Sequence, residues 1–129
     1  MGCDVHIFIE FNKTTSPNEW KCVSSFYVLR LRNVISAMSG LLGIAKQPLL
    51  PRGFPVNVSE EITEKFNQDT DYYHTPTWMY LDEYLGSLKR NDIEILNINN
   101  DFRLIAAIMS GIEKEFGQRT TRLVCYFDN

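Results

Sequence analysis

Thiol and imidazole chemistry are scarce in this chain. Its 129 residues include three cysteines and two histidines. The cysteines, Cys3, Cys22 and Cys125, are odd in number and never in CxxC spacing. The pattern therefore gives neither a disulfide framework nor a zinc ribbon, and reduced thiols are expected. Long apolar runs are missing as well. No stretch approaches the roughly 18 residues that a membrane helix needs, so no membrane partner is expected. Cationic excess is absent, with 13 Lys and Arg against 16 Asp and Glu and a formal net charge of -3. A sequence-blind binder of duplex nucleic acid needs a dense cationic face, so a duplex is not an expected partner. A small phosphorylated ligand stays compatible with this charge, because two or three local arginines are enough to hold it. Internal repeats and low-complexity tracts are also lacking.

What is present reads as a single domain spanning residues 1–129. The composition is 44% apolar and 22% charged, and a chain of this length buries roughly two thirds of its unfolded surface without staples. The first ten residues, MGCDVHIFIE, allow several readings. Glycine and cysteine after the methionine suggest a lipid anchor, but the myristoylation pattern asks for a small hydroxyl residue at position six, where His6 stands. Lipidation is therefore not expected. From there the chain alternates. Val5, Ile7, Ile9 and Phe11 share one face, and Asp4, His6, Phe8, Glu10 and Asn12 share the other. Period two over nine residues predicts a strand with one core face and one face that is wet or lines a cleft. A Cys3–His6 dyad is disfavoured unless the strand begins at Asp4, because strand neighbours of opposite parity face opposite sides.

A turn is expected over residues 14–19, TTSPNE, followed by a second strand over Trp20–Leu31 in an antiparallel hairpin. Asn33 is expected to cap a helix carrying Val34, Ile35, Met38, Leu41 and Leu42 and ending at Gly43. Residues 44–58, IAKQPLLPRGFPVNV, hold three prolines and a glycine, so no regular element is expected there. A loop of that length in a small domain tends to carry function. A second helix is expected from Ser59, with Glu60 and Glu61 in its first turn, to about Asn67. Asp71 to Thr77 is expected to be loop, with Pro76 blocking helix. Leu81, Tyr84, Leu85 and Leu88 then repeat at helical spacing, with Lys89 and Arg90 at the helix end. The next residues predict a short strand or a connection. Asp101 to Gly117 carries the best helical stripe, and Leu123, Cys125 and Phe127 alternate in a closing strand. The expected fold class is α+β: a small antiparallel or mixed sheet of three to four strands, the N-terminal hairpin plus the C-terminal strand, with helices packed on one face. The other face would expose Phe8, Val124 and Tyr126 unless the long loop or another subunit covers it.

Several segments together resemble a known family. MGCDVHIFIE resembles an MGCDIH-type opening, and Arg32–Asn33 precedes an apolar helix. PRGFPVNVSEE resembles an RGLP-x-DVS segment, HTPTWMYLDEYL resembles an H-x-x-[ST]-W segment, and RLVCYFDN resembles a chain that stops at F-D-N. In this order they look like a family of small, mostly uncharacterised proteins encoded by bacteriophages and prophages. The resemblance implies a phage protein acting in the cytoplasm of an infected bacterial host. Where that family often carries a paired histidine near the tryptophan, only His74 stands here, which counts against a metal site.

No metal or cofactor is expected. Cys3, Asp4, His6, His74 and Asp128 do not offer the spacing of a tetrahedral zinc set. Nothing places Cys3 or Cys125 beside a histidine, and Cys125 reads as a buried apolar residue. A nucleotide site needs an aromatic plate and a few arginines or backbone amides. The loops offer both: Arg52, Gly53 and Phe54 in one, Tyr73, His74 and Trp78 in the other, with His6, Arg32 and Arg122 near strand ends. By analogy with phage counter-defence proteins, these residues are expected to bind and sequester a nucleotide-derived immune second messenger without cleaving it, in a homo-oligomer. One alternative is a protein-binding inhibitor of a host defence or CRISPR component. Another is a phosphodiesterase using His6 or His74 as base.

Overall fold

The N-terminal alternation folds as it reads. Strand β1 (Asp4–Phe11) pairs antiparallel with β2 (Lys21–Val28) on one side and with β4 (Thr121–Asp128) on the other. The computed structural model describes residues 4–12, 19–28 and 31–128. Cys3, Arg30 and most of the turn expected over residues 14–19 lie outside the described residues. Among the described residues are four helices: α1 (Arg32–Ser39), α2 (Glu60–Asn67), α3 (Leu81–Arg90) and α4 (Asn100–Phe116). A third strand, β3 (Tyr73–Tyr80), pairs antiparallel with β4 and completes a sheet in the order β2-β1-β4-β3. The architecture is α+β, with an antiparallel sheet and helices packed against it.

The third strand corrects the loop expected over Asp71–Thr77. Proline lacks the N–H that a central strand must donate, so it is tolerated in sheets at edges and bulges. Pro76 has both. β3 is an edge strand, and the register skips between His74 and Thr77 while Thr75 takes φ 55. The bulge absorbs Thr75 and Pro76, and pairing resumes at Thr77↔Cys125.

The first helix is also shorter than expected. It ends at Ser39 because Gly40 adopts φ 78 and its N–H donates to the Ser36 carbonyl at 2.8 Å. Glycine at that left-handed position stops the helix three residues before Gly43. Leu41–Gly43 forms one 3-10 turn. Asn33 does not cap; Leu31 precedes the first turn, and the Asn33 side chain accepts from the Val34 N–H at 2.9 Å. The other boundaries follow the pattern. Ser59 precedes α2, with Glu60 and Glu61 in its first turn. Asn99 accepts from the Phe102 N–H at 3.1 Å and starts α4, and Gly117 ends it. Residues 91–99 are a connection with a single 3-10 turn, Ile95–Asn97.

Two cores result, one on each face of the sheet. Val5, Ile7, Ile9, Leu123, Cys125 and Phe127 point towards α1, α3 and α4 and are buried among Ile35, Met38, Tyr84, Phe102, Ile105 and Met109. On the opposite face Phe8, Val124 and Tyr126 are buried under Ile62 and Phe66 of α2 and under Phe54 and Val58 of the long loop. The loop, together with α2, supplies the cover that the sequence asked for.

A buried ion pair fixes that cover in place. Glu10 and Arg122 are cross-strand partners, with side chains 0% and 5% exposed. Arg122 Nε donates to Glu10 Oε1 at 2.5 Å. Glu10 Oε2 accepts from the Ser59 N–H at 2.7 Å, the contact that the glutamate of a capping box makes to the residue preceding a helix, here α2. Arg122 also donates to the Asn57 carbonyl at 3.3 Å, and its guanidinium lies 4.0 Å from the Trp20 ring centroid. One carboxylate and one guanidinium thus join β1, β4, the loop and α2. Removing a single partner leaves a buried uncompensated charge, which costs about 3–5 kcal/mol. Glu10→Ala is expected to lose that much in urea denaturation, whereas a Glu10→Leu, Arg122→Met double variant recovers most of it.

Candidate functional site

The even-numbered positions of β1 and β4 form the second sheet face. At the end of the sheet where β1 starts and β4 finishes, that face is polar and aromatic. His6 lies opposite Tyr126 and Tyr27, and Asp128 lies opposite Asp4 and Tyr73. The diagonal neighbours His6 and Asp128 meet, with Nε2 and Oδ2 2.6 Å apart. The imidazole is packed by three phenols. Its centroid is 4.7 Å from Tyr27, 4.9 Å from Tyr73 and 5.0 Å from Tyr126, the last nearly parallel at 18°. The Tyr27 hydroxyl donates to Asp4 Oδ2 at 2.9 Å. Accepting that bond, the Asp4 carboxylate pushes the Tyr27 hydroxyl up to about 12. Burial pushes the Tyr126 hydroxyl up to about 12. Both phenols therefore remain protonated donors at neutral pH.

Beside this group is a shallow depression of about 140 Å³ lined by His6, Phe8, Ser25, Phe26, Tyr27 and Lys65. Lys65 projects from α2 so that its Nζ is 5.7 Å from the Phe8 ring centroid, and it makes no ion pair among the described residues. The depression thus has aromatic walls, a histidine held by a carboxylate, and an ammonium at its rim.

The two segments that offer arginine and aromatic residues meet along β3. The Arg52 N–H donates to Thr77 Oγ1 at 3.1 Å, and the Gly53 N–H donates to the Pro76 carbonyl at 2.9 Å. The segment bearing Arg52 and Gly53 therefore runs along β3, the segment bearing Tyr73 and Trp78. Gly53 takes φ 77 there, a conformation that suits glycine. The Arg52 guanidinium lies 4.9 Å from the Trp78 ring centroid and forms a two-pronged pair with Glu83, Nη1 to Oε1 at 3.0 Å and Nη2 to Oε2. Phe54 packs edge-on against Phe66, 5.1 Å between centroids.

The remaining expected residues divide. Tyr73 joins the His6 group. Trp78 lies opposite Val124 on the same face, with the Arg122 guanidinium 5.8 Å from its centroid. Arg122 is engaged by Glu10 and Arg52 by Glu83, so both guanidiniums already have carboxylates. His74 lies opposite Phe127 and therefore faces α1, α3 and α4, away from Tyr73 and Trp78. Its Nδ1 is 2.8 Å from Thr75 Oγ1. Arg32 is exposed at the start of α1, a helix on that same opposite face, and joins none of these. Cys125 is enclosed on the helix side of the sheet, where burial drives its thiol well above the ordinary range. Cys22 is half-buried, and burial with the nearby Glu61 also raises it. Among the described residues, no group of three His, Cys, Asp or Glu side chains is placed to hold a metal ion, and no helix is long and apolar enough to cross a membrane.

Tyr27 and Lys65 escaped the sequence reading, Tyr126 entered it only as a residue of the face that needs cover, and Asp128 only as a candidate metal ligand. Parity on β1 and β4 was enough to put Tyr126 and Asp128 with His6 once those two strands are known to pair. Nothing in the pattern points to Tyr27 or Lys65. No family model, curated protein or solved structure is significantly similar to this chain.

The Arg52–Glu83 pair has a defined pH signature. The bonded guanidinium holds the Glu83 carboxyl below the ordinary carboxylate range, and the Tyr80 N–H donating to Oε1 at 3.0 Å acts in the same direction. A depressed folded-state value contributes stability above the unfolded-state value and loses it as pH falls through the folded one. The melting temperature of the native protein is therefore expected to exceed that of Glu83→Gln at pH 7. The gap closes as the pH is lowered below about 4, the ordinary carboxylate range.

Proposed function

We propose that this protein binds a small phosphorylated nucleotide ligand and holds it without cleaving it. In biological terms it would sequester a nucleotide-derived immune second messenger in the cytoplasm of a phage-infected bacterium, acting as a homo-oligomer. The biological setting rests on the resemblance of the terminal and loop motifs to a phage protein family. The binding chemistry rests on one observation: Tyr27, His6 and Phe8 line a single depression with Lys65 at its rim. A nucleobase offers a flat π-face that stacks on aromatic side chains whatever its sequence identity. Its phosphate needs a cation that is not already paired, and Lys65 meets that need better than Arg52 or Arg122. Asp4 and Asp128 at the same end of the sheet accept hydrogen bonds, as a base's exocyclic amino group would require.

The depression is small. Pockets that enclose a drug-sized ligand run from about 300 Å³ upward, so at about 140 Å³ this one seats a single ring and leaves the rest of the ligand outside. A second reading, phosphodiesterase activity, is favoured by the His6–Asp128 pair, because a carboxylate bonded to one imidazole nitrogen orients the ring for general-base work.

A thermal-shift panel of cyclic di- and trinucleotides and cyclic ADP-ribose isomers tests the reading. At least one member is expected to raise the melting temperature and to be recovered intact after heat denaturation. Tyr27→Ala and Lys65→Ala are each expected to weaken that ligand at least tenfold while the unliganded protein melts as before. A panel without a binder, or unchanged affinity in both variants, overturns the proposal. Recovery of cleavage products that disappear in His6→Ala supports the phosphodiesterase instead.

A further inference from the structure

The two edges of the sheet are treated differently. On β3 the outer edge is closed: Gly53 donates to the Pro76 carbonyl, Arg52 donates to Thr77, Pro76 carries no donor, and the bulge at Thr75 breaks the repeat. β2 also carries a register skip, at Val23 between the pairs Ile9↔Ser24 and Glu10↔Cys22, but among the described residues it is otherwise left open. Its eight residues, KCVSSFYV, contain no proline and one charge, Lys21. Among the described residues, no backbone hydrogen bond leaves its outer side. Val23 and Tyr27 are 52% and 54% exposed. An unpaired strand with little charge and no proline is a template for another strand, and folded proteins ordinarily block such edges with charge, proline or cover.

We propose that β2 pairs antiparallel with β2 of a second copy of this chain across a two-fold axis, giving one continuous eight-stranded sheet. The strand's single charge selects the orientation, and the depression beside this edge, which one copy leaves open, selects the occupant. Parallel pairing would set Lys21 beside its own copy, whereas antiparallel pairing separates the two lysines by most of the strand, roughly 20 Å or more at about 3.3 Å per residue. Two-fold symmetry makes the edge its own complement, so each strand satisfies the other without a new sequence. An axis normal to the sheet keeps the His6 faces of both copies on the same side. Ser25, Phe26 and Tyr27, which form the β2 wall of the depression, then lie beside Val23, Cys22 and Lys21 of the second copy. The part of the ligand that one copy leaves uncovered would meet the other. This assigns the interface of the proposed homo-oligomer, and its test does not depend on a nucleotide being found.

Light scattering on the full chain, from micromolar to several hundred micromolar, is expected to approach twice the 15.0 kDa of one chain. A Val23→Lys, Ser25→Lys variant places cations near the middle of β2, where the copies cross. It is expected to stay at the mass of one chain at every concentration while keeping the native circular dichroism spectrum. Amide exchange within Lys21–Val28 is expected to slow as the concentration of the native protein rises, and not to do so in the variant. A native protein that keeps the mass of one chain at the highest concentration overturns the proposal. So does a dimer that persists in a folded double-lysine variant, or one whose β2 amides exchange at a rate independent of concentration.

Discussion

Everything on the second face of the sheet depends on the carboxylate of Glu10 and the guanidinium of Arg122 being enclosed together. Each is nearly inaccessible to water, and neither could be left there alone without a cost of several kcal/mol. Their mutual bond uses one oxygen of Glu10. The other oxygen starts α2 through Ser59, and the second arm of Arg122 reaches the loop at Asn57. The loop and helix thereby acquire one place to sit. Ile62 and Phe66 then meet Phe8 and Tyr126, and Lys65, one residue before Phe66, arrives at the rim of the depression. The position of the ammonium is thus set from the opposite end of the strands.

The same constraint explains why the polar groups at the other end stay accessible. β1 and β4 are buried on both faces for most of their length, but Asp4, His6 and Asp128 at their shared end are only half-buried. Tyr27, Tyr73 and Tyr126 close around the imidazole from three different strands. A group assembled from β2, β1, β4 and β3 inherits the rigidity of the whole sheet, which is how binding side chains are held without adjustment on ligand arrival.

Much of the fold was legible because periodicity reports burial directly. β1, the hairpin, α2, α3, α4 and β4 each carry a stripe of the right period with turn or capping residues at its ends. What was illegible shares one cause: a tertiary partner overrode the local signal. Pro76 reads as a strand breaker until an edge position and a bulge make room for it. Gly43 reads as the helix stop, yet Gly40 is reached first, and Ser36 Oγ then holds the Ile44 and Ala45 N–H groups at 3.0 and 2.8 Å. For the site, Arg52 and Gly53 run beside Pro76, Thr77 and Trp78, whereas Tyr73 joins His6 at the other end of β3. Their roles were not legible, because a guanidinium looks free in a sequence until its carboxylate, here Glu83, is located 31 residues away. His74 was misjudged for the plainest reason, since one step along a strand moves a side chain to the other face.

The strand order has a kinetic side. β4 occupies the middle of the sheet and is the last strand along the chain. Until it arrives, β3 has no neighbour to pair with and the inner edge of β1 is open, so an emerging polypeptide can offer a hairpin and several amphipathic helices but no closed core. Contacts such as His6 with Asp128 join residues 122 positions apart, and separations of that kind make folding slow and leave apolar strands bare in the interval. The closed sheet therefore needs β4 in place, because β4 is the partner of both β1 and β3.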